Sequence, residues 1–253
     1  VNPAFELKAS GMKMTGGAKP FGIDSEQIPT AVTLCRQLGI EPEGLHLFTG
    51  SQNLKPEAIC EAHSGVLRLA AELIRDNQLQ LRFINIGGGL GIPYFPGEKP
   101  LELESIAANL EHELKQIESL IASTDIVMEL GRYLVGEAGL YVCRVIDKKQ
   151  SRGTTYLVTD GGLHHHLSNS GNFGQVIRKN YPVDACPALQ TEETELVTVV
   201  GPLCTPLDIV ADKMELPRCE LGDLIVVRQS GAYGPSASPQ GFLSHPQVVE
   251  LLL

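Results

Sequence analysis

Two stretches carry residue types suited to a phosphorylated ligand. Asn85-Ile86-Gly87-Gly88-Gly89 ends an apolar run in three consecutive glycines, and Glu129-Leu130-Gly131-Arg132 ends another. Residues without side chains present bare backbone N–H groups, the donors a phosphate needs. A turn bearing a carboxylate and a guanidinium adds a cation for the phosphate and an acceptor for a protonated ring nitrogen. Each stretch alone also has a plain structural reading, as a tight glycine turn after a buried strand or as a surface ion pair. At neighbouring strand ends they suit one ligand with both a phosphate and a ring nitrogen. His46-Leu47-Phe48-Thr49-Gly50-Ser51 supplies a third such end. Elsewhere, His164, His165 and His166 follow Asp160-Gly161-Gly162. On an extended segment they point to alternating sides and cannot all ligate one metal, so no metal site is assigned.

These side chains need a scaffold, and the first half of the chain has the pattern of one. Residues 1–22 hold turn signals, Gly16-Gly17 and Lys19-Pro20-Phe21-Gly22, but little periodicity, and read as a long loop. A helix is expected from Asp24 or Ser25 to Leu38, closed by Gly39. A strand follows over residues 44–49, then a helix from Pro56 to about Asp76, a strand over 81–86, a helical face from Leu103 to Ile121 and a strand at 126–128. Short buried strands alternating with long helices indicate parallel α/β architecture. Its strand ends gather at one face, where a parallel α/β barrel keeps its active site. Beyond residues 133–140 the helical period disappears, and β-rich runs at 141–146, 155–159, 196–200 and 224–227 read as an all-β domain.

The 253 residues, 43% hydrophobic, suffice for a real core. A net charge of -10 without a basic stripe argues against nucleic acid and anionic membrane surfaces as partners. No apolar run reaches the length of a membrane span and no signal-peptide pattern opens the chain, which makes the cytoplasm the expected location. Six cysteines without a CxxC pair suggest neither a zinc site nor a disulfide framework. The chain starts Val1-Asn2-Pro3 and ends on the apolar run 248–253, as expected of a fragment.

Four ordered motifs make the chain resemble a known family. Residues 85–91 (Asn-Ile-Gly-Gly-Gly-Leu-Gly), 129–133 (Glu-Leu-Gly-Arg-Tyr), 201–204 (Gly-Pro-Leu-Cys) and 231–233 (Gly-Ala-Tyr) are similar to motifs of the pyridoxal-phosphate (PLP) decarboxylases of the alanine-racemase-like fold, which include ornithine/arginine and diaminopimelate decarboxylases. The resemblance implies α/β plus all-β architecture: residues 1–136 as the C-terminal part of a PLP-binding (β/α)8 TIM barrel, and 137–253 as a β-barrel or β-sandwich domain that contributes to a dimeric active site. It also implies that five barrel strands and the Schiff-base lysine lie outside this sequence, so the chain alone is expected to be inactive.

By the same resemblance, Gly87, Gly88, Gly89, Gly131, Arg132 and Ser51 hold the cofactor phosphate, and Glu129, as a buried carboxylate, keeps the ring nitrogen protonated. Phe48 stands where relatives stack a histidine on the ring, with His46 two residues before it on the same strand face. Cys204 returns a proton to Cα and Tyr233 contacts the phosphate, both reaching into a partner subunit's barrel, which implies a homodimer.

Departures from the family pattern bear on substrate. Relatives that act on diamino acids carry an acidic residue after the cysteine; this chain has Thr205, with Asp208 three residues on as the remaining carboxylate. A buried ammonium without such a partner costs several kcal/mol. His164 and His165 are expected to line the substrate entrance, and with Cys204-Thr205-Pro206 they resemble a branch that decarboxylates amino acids held on acyl carrier proteins. A substrate lacking a free distal amine is therefore expected. The alternatives are a diaminopimelate- or ornithine-type decarboxylase of a free diamino acid, an amino-acid racemase, and a non-catalytic PLP-binding homologue. A racemase of this fold pairs an arginine with the ring nitrogen, where this chain has Glu129.

Overall fold

The computed structural model describes residues 1–5, 12–13 (backbone only), 16–173, 175, 177–187 and 192–253, so part of the loop expected at 1–22 lies outside the described residues. The chain divides into two compact units, Val1–Pro93 with Lys99–Tyr133, and Tyr94–Glu98 with Leu134–Leu253. The short excursion Tyr94–Glu98 had no signal in the sequence.

In the first unit, β1 (Met12–Lys13) precedes a 3-10 turn and α1 (Ile28–Gln37), followed by β2 (Gly44–His46), β3 (Gly50–Ser51), α2 (Pro56–Asn77), β4 (Phe83–Asn85), α3 (Leu103–Gln116), α4 (Glu118–Ile121), β5 (Asp125–Val127) and the start of α5 (Gly131–Val135). Strands β2, β4 and β5 form a parallel sheet in that order, with Leu45, Ile84 and Ile126 in register. The next position aligns His46, Asn85 and Val127, so the chain leaves all three strands at the same level. Pro56 opens α2, and Gln78 closes it in the left-handed region. Ile59, Val66, Ala70, Leu73 and Ile74 line the buried stripe of α2. Leu47, Ile84, Ile86, Val66 and Leu67 belong to the main core. The single helical face expected from Leu103 to Ile121 breaks at Ile117 (φ -115), where the side chain turns into that core. Burial overrides helical continuity there.

The second unit contains β6 (Tyr141–Ser151), β7 (Thr154–Thr159), β8 (Val183–Cys186), β9 (Thr194–Val200), β10 (Ile209–Pro217) and β11 (Leu224–Val227). They form one sheet in the order β10-β9-β7-β6-β11-β8, antiparallel except for the parallel pair β7–β9. Alternation sets its faces: Tyr141, Cys143 and Val145 point to the core while Val142, Arg144 and Ile146 face out. Arg152 and Gly153, both with positive φ, close the β6–β7 hairpin, as a two-residue turn that follows the strand twist requires. The sequence showed neither β8 nor β10. Strand β8 is only four residues long, and β10 bulges at its charged Asp212-Lys213 stretch, which hides the period-two pattern. Among the described residues no helix is long and apolar enough to cross a membrane.

Candidate functional site

The candidate residues fall into two groups, one in each unit. In the first unit Asn85 organises the strand ends. Its side-chain N–H donates to Glu129 Oε1 at 2.8 Å, while its Oδ1 accepts the Gly87 N–H at 2.8 Å. The Glu129 N–H in turn donates to the Gly87 carbonyl at 2.8 Å. His46 Nε2 lies 3.5 Å from Glu129 Oε2. The Glu129 side chain is 54% exposed, where a buried carboxylate was expected. It follows β5, which lies at one side of the three parallel strands of this chain.

The glycines are demanded by close packing. A Cβ on Gly88 would strike the Glu129 carbonyl, and one on Gly89 the Gly50 carbonyl. Gly87, at φ +75, lies against the Phe48 ring, so Phe48 packs on the glycine backbone itself. Leu90 and Gly91 continue beside Asn53, joined by Asn53 N–H to Gly89 O and Gly91 N–H to Asn53 O, both 2.9 Å. The segment is thus wedged between two others with its backbone fixed. The Gly88 and Gly89 N–H groups, half-buried, meet no acceptor among the described residues. Fixed donors of this kind are suited to an anion.

Arg132, in the first turn of α5, donates from Nη1 to Gln52 Oε1 at 3.2 Å. Gln52 is a non-glycine residue in the left-handed region, and its carboxamide clamps Ile92 through both the N–H (3.2 Å) and the carbonyl (2.6 Å). Ser51, next to it on β3, is half-buried and pairs across to Met12. Space around Gly131 is open. Asn85 and Gln52 were not singled out from the sequence. For Asn85 the available signal was a polar residue inside the run Ile84-Asn85-Ile86; for Gln52 there was none.

In the second unit, Cys204 is exposed and Thr205 half-buried on the loop between β9 and β10. Asp208, offered by the sequence as a partner for a distal ammonium, is 2% exposed and turned inward. One of its oxygens accepts the Leu163 N–H at 2.6 Å and the other the Leu203 N–H at 2.8 Å. Burial pushes its pKa up, and those two N–H groups pull against the shift.

The three histidines stand on a turn, not on the extended segment that was expected. The N–H groups of His165 and His166 both donate to the Gly162 carbonyl, at 2.9 and 3.0 Å. Their rings take separate partners. His165 Nε2 donates to the Pro246 carbonyl (2.7 Å), and His166 Nε2 meets Ser230 Oγ (2.9 Å). His164 is fully buried and lies against His165, with ring centroids 3.8 Å apart and the planes tilted by 44°. The sequence placed His164 and His165 at a substrate entrance; in this unit both rings are buried and their contacts are with protein. Burial pushes the pKa of His166 down to about 4, and burial with the nearby His165 and His245 does the same for His164. Tyr233 is partly exposed at φ +58, uncommon for a bulky residue, with its ring 5.9 Å from Phe173.

Comparisons with known proteins agree with the motifs. A family model described as pyridoxal-dependent decarboxylase, C-terminal sheet domain, matches residues 24–231. The L-glutamyl-[BtrI acyl-carrier protein] decarboxylase of Niallia circulans is 34% identical over 257 residues, covering 100% of this chain and 60% of that protein. A diaminopimelate decarboxylase of Methanothermobacter thermautotrophicus is 30% identical, covering 100% of this chain and 58% of its own length. Among solved structures, the Helicobacter pylori diaminopimelate decarboxylase complexed with L-lysine superimposes with a TM-score of 0.79 at 26% identity, over 95% of this chain and 57% of that one. The chain therefore spans about 60% of the length of the curated relatives it matches. It belongs to the pyridoxal-dependent decarboxylase family, and its architecture is the C-terminal part of a (β/α)8 barrel followed by the family's β-domain.

Proposed function

We propose that this family member acts, in its full-length form, as a PLP-dependent decarboxylase that releases CO2 from the α-carboxylate of an amino acid without a free distal amine, such as one held on a carrier protein. The first-unit residues suit the cofactor. The fixed Gly88 and Gly89 N–H groups and the Arg132 guanidinium would hold its phosphate, with Ser51 adding a hydroxyl. Glu129, oriented by Asn85, would hold the proton on the ring nitrogen, while His46 and Phe48 would lie against the ring. When bound, the cofactor takes up the electron pair left on Cα as CO2 departs. Cys204 would return a proton to Cα from its exposed Sγ. We also propose a homodimer in which Cys204 and Tyr233 serve the partner's barrel.

One observation carries the substrate class. Residues 201–208 contain a single carboxylate, Asp208, and both its oxygens are occupied by backbone N–H groups. Thr205 leaves the position after Cys204 neutral. A distal ammonium would find no free carboxylate on this loop. The similarity to a decarboxylase of carrier-bound glutamate points the same way. The test is turnover by the full-length enzyme, supplied with cofactor, of lysine, ornithine, diaminopimelate and carrier-bound glutamate. Carrier-bound glutamate is the expected substrate, and turnover of the free diamino acids alone would sink the proposal.

A further inference from the structure

The functional residues of the second unit come from separate places in the sequence: Cys204 and Thr205 on the 201–208 loop, and Tyr233 on the turn that follows β11. Neither segment is part of the sheet; the Ser230 and Gly231 N–H groups donate to the Gly139 and Gly136 carbonyls at 2.9 and 3.0 Å, and further ties come from side chains. We infer that Asp208 and His166 are positioning residues which tie both segments to the histidine turn, so that residues 162–169 act as the common anchor of Cys204 and Tyr233. The inference rests on the proposed function for the roles of Cys204 and Tyr233, but the linkage itself is read from the chain.

The first tie is the Asp208 carboxylate. Its two oxygens accept one N–H from the histidine turn (Leu163) and one from the cysteine loop (Leu203), so a single side chain bridges the two segments. Two glycines make room for it. A Cβ on Gly162 or on Gly201 would strike the Asp208 carboxylate. The loop closes on itself through Gly201 N–H to Asp208 O at 3.0 Å and Asp208 N–H to Thr205 O at 3.2 Å. A carboxylate is the side chain suited to this place, because it accepts at both oxygens; an asparagine would turn an NH2 donor toward one of the two N–H donors.

His166 makes the second tie. The Asn169 N–H donates to its Nδ1 at 3.3 Å, which fixes Nδ1 as an acceptor and puts the ring proton on Nε2. The Nε2–H then donates to Ser230 Oγ at 2.9 Å, and the Ser230 hydroxyl donates onward to Val227 O at 2.9 Å. Two neighbours reinforce the link: Ser168 Oγ lies 3.2 Å from both His166 Nδ1 and the Tyr233 carbonyl, either of which can take its one proton, and the Leu167 N–H donates to Ser238 Oγ at 2.8 Å. The conspicuous histidine and the spare carboxylate of the sequence thus both bond within or to residues 162–169, and neither is offered to solvent.

Hydrogen exchange on the full-length holoenzyme tests this without any substrate, so its result is independent of the substrate panel above. In the wild type the Leu163 and Leu203 amides are expected to exchange at least about 100-fold more slowly than open loop amides. Exchange at open-loop rates would overturn the inference, and needs no variant that must fold. In Asp208→Asn one of the two amides is expected to accelerate at least about tenfold, with a changed rate of Cys204 alkylation by iodoacetamide. In His166→Phe the faster exchange should fall on residues 230–233, and His166→Gln, which keeps a donor and an acceptor, should restore part of the protection. Turnover separates positioning from ligand binding. Asp208→Asn is expected to lower kcat about tenfold at little-changed KM; a raised KM for a diamino acid with both amides still protected would make Asp208 a substrate ligand and overturn the inference.

Discussion

At the scale of single residues, His166 and His164 are held neutral at physiological pH by the same burial that makes His166 useful as a tie. The sign of the consequence follows from the unfolded chain, where each imidazole binds its proton near the ordinary value of 6.5. Stability is complete above about pH 6.5 and falls as the pH drops toward 4, because protons bind the unfolded chain first. For His166, with a pKa of about 4, the full loss is roughly 3 kcal/mol. Asp208, whose pKa is raised, works in the opposite direction, since its buried charge is relieved on protonation. The urea midpoint of the second unit, followed by exchange in β6–β11, should drop steadily between pH 7 and pH 5 in the wild type and less in His166→Gln. A midpoint flat over that range would show that the buried histidines are not held neutral at a cost. What the sequence offered at this scale was residue type: Glu129, Arg132 and Cys204 announce themselves by motif. Asn85 did not, because the Glu129 carboxylate it orients lies 44 positions further along the chain, and only the parallel register brings the two together.

At the scale of elements, the glycine segment distinguishes packing from ligand contact. The triple glycine was legible as bare backbone, but the sequence could not say what approaches it. The answer is other backbone: the Glu129 carbonyl at Gly88 and the Gly50 carbonyl at Gly89. Gly88→Ala should therefore force the Glu129 turn away and cost about 1–3 kcal/mol, as overpacking does, with cofactor binding lost alongside. Gly131 gives the contrast, since nothing lies near its added Cβ and its φ is not positive. Gly131→Ala should fold with stability within about 0.5 kcal/mol of the wild type, and weaken cofactor binding if the phosphate rests on that turn. Denaturant midpoints together with cofactor absorbance titrations read both effects. Equal loss of stability in the two variants would mean that the Gly131 turn is packed after all. The histidine triplet departs from alternation for a related reason. Alternation applies to an extended chain, and Gly161-Gly162 permits a turn in which one carbonyl caps two successive N–H groups.

At the scale of the whole molecule, each unit holds an incomplete set of chemistry. The first has the groups suited to a phosphate and a ring, Gly88, Gly89, Arg132 and Glu129; the second has the exposed thiol of Cys204 and the Tyr233 turn. In the proposed reaction, proton return to Cα would need both sets in one cavity. In the proposed homodimer the second set comes from the other subunit, and that arrangement makes a quantitative prediction. Full-length Glu129→Ala and Cys204→Ala should each be nearly inactive as homodimers. When the two are unfolded and refolded together at equal concentration, half the dimers pair one of each. Each mixed dimer then carries one barrel in which an intact Glu129 faces an intact Cys204, and a second barrel that lacks both. Recovered activity should approach about one quarter of the wild-type value, by simple counting on a two-fold symmetric assembly. If Cys204 instead served the barrel of its own subunit, every site in every mixed dimer would lack one group, and mixing would recover nothing above the two parents.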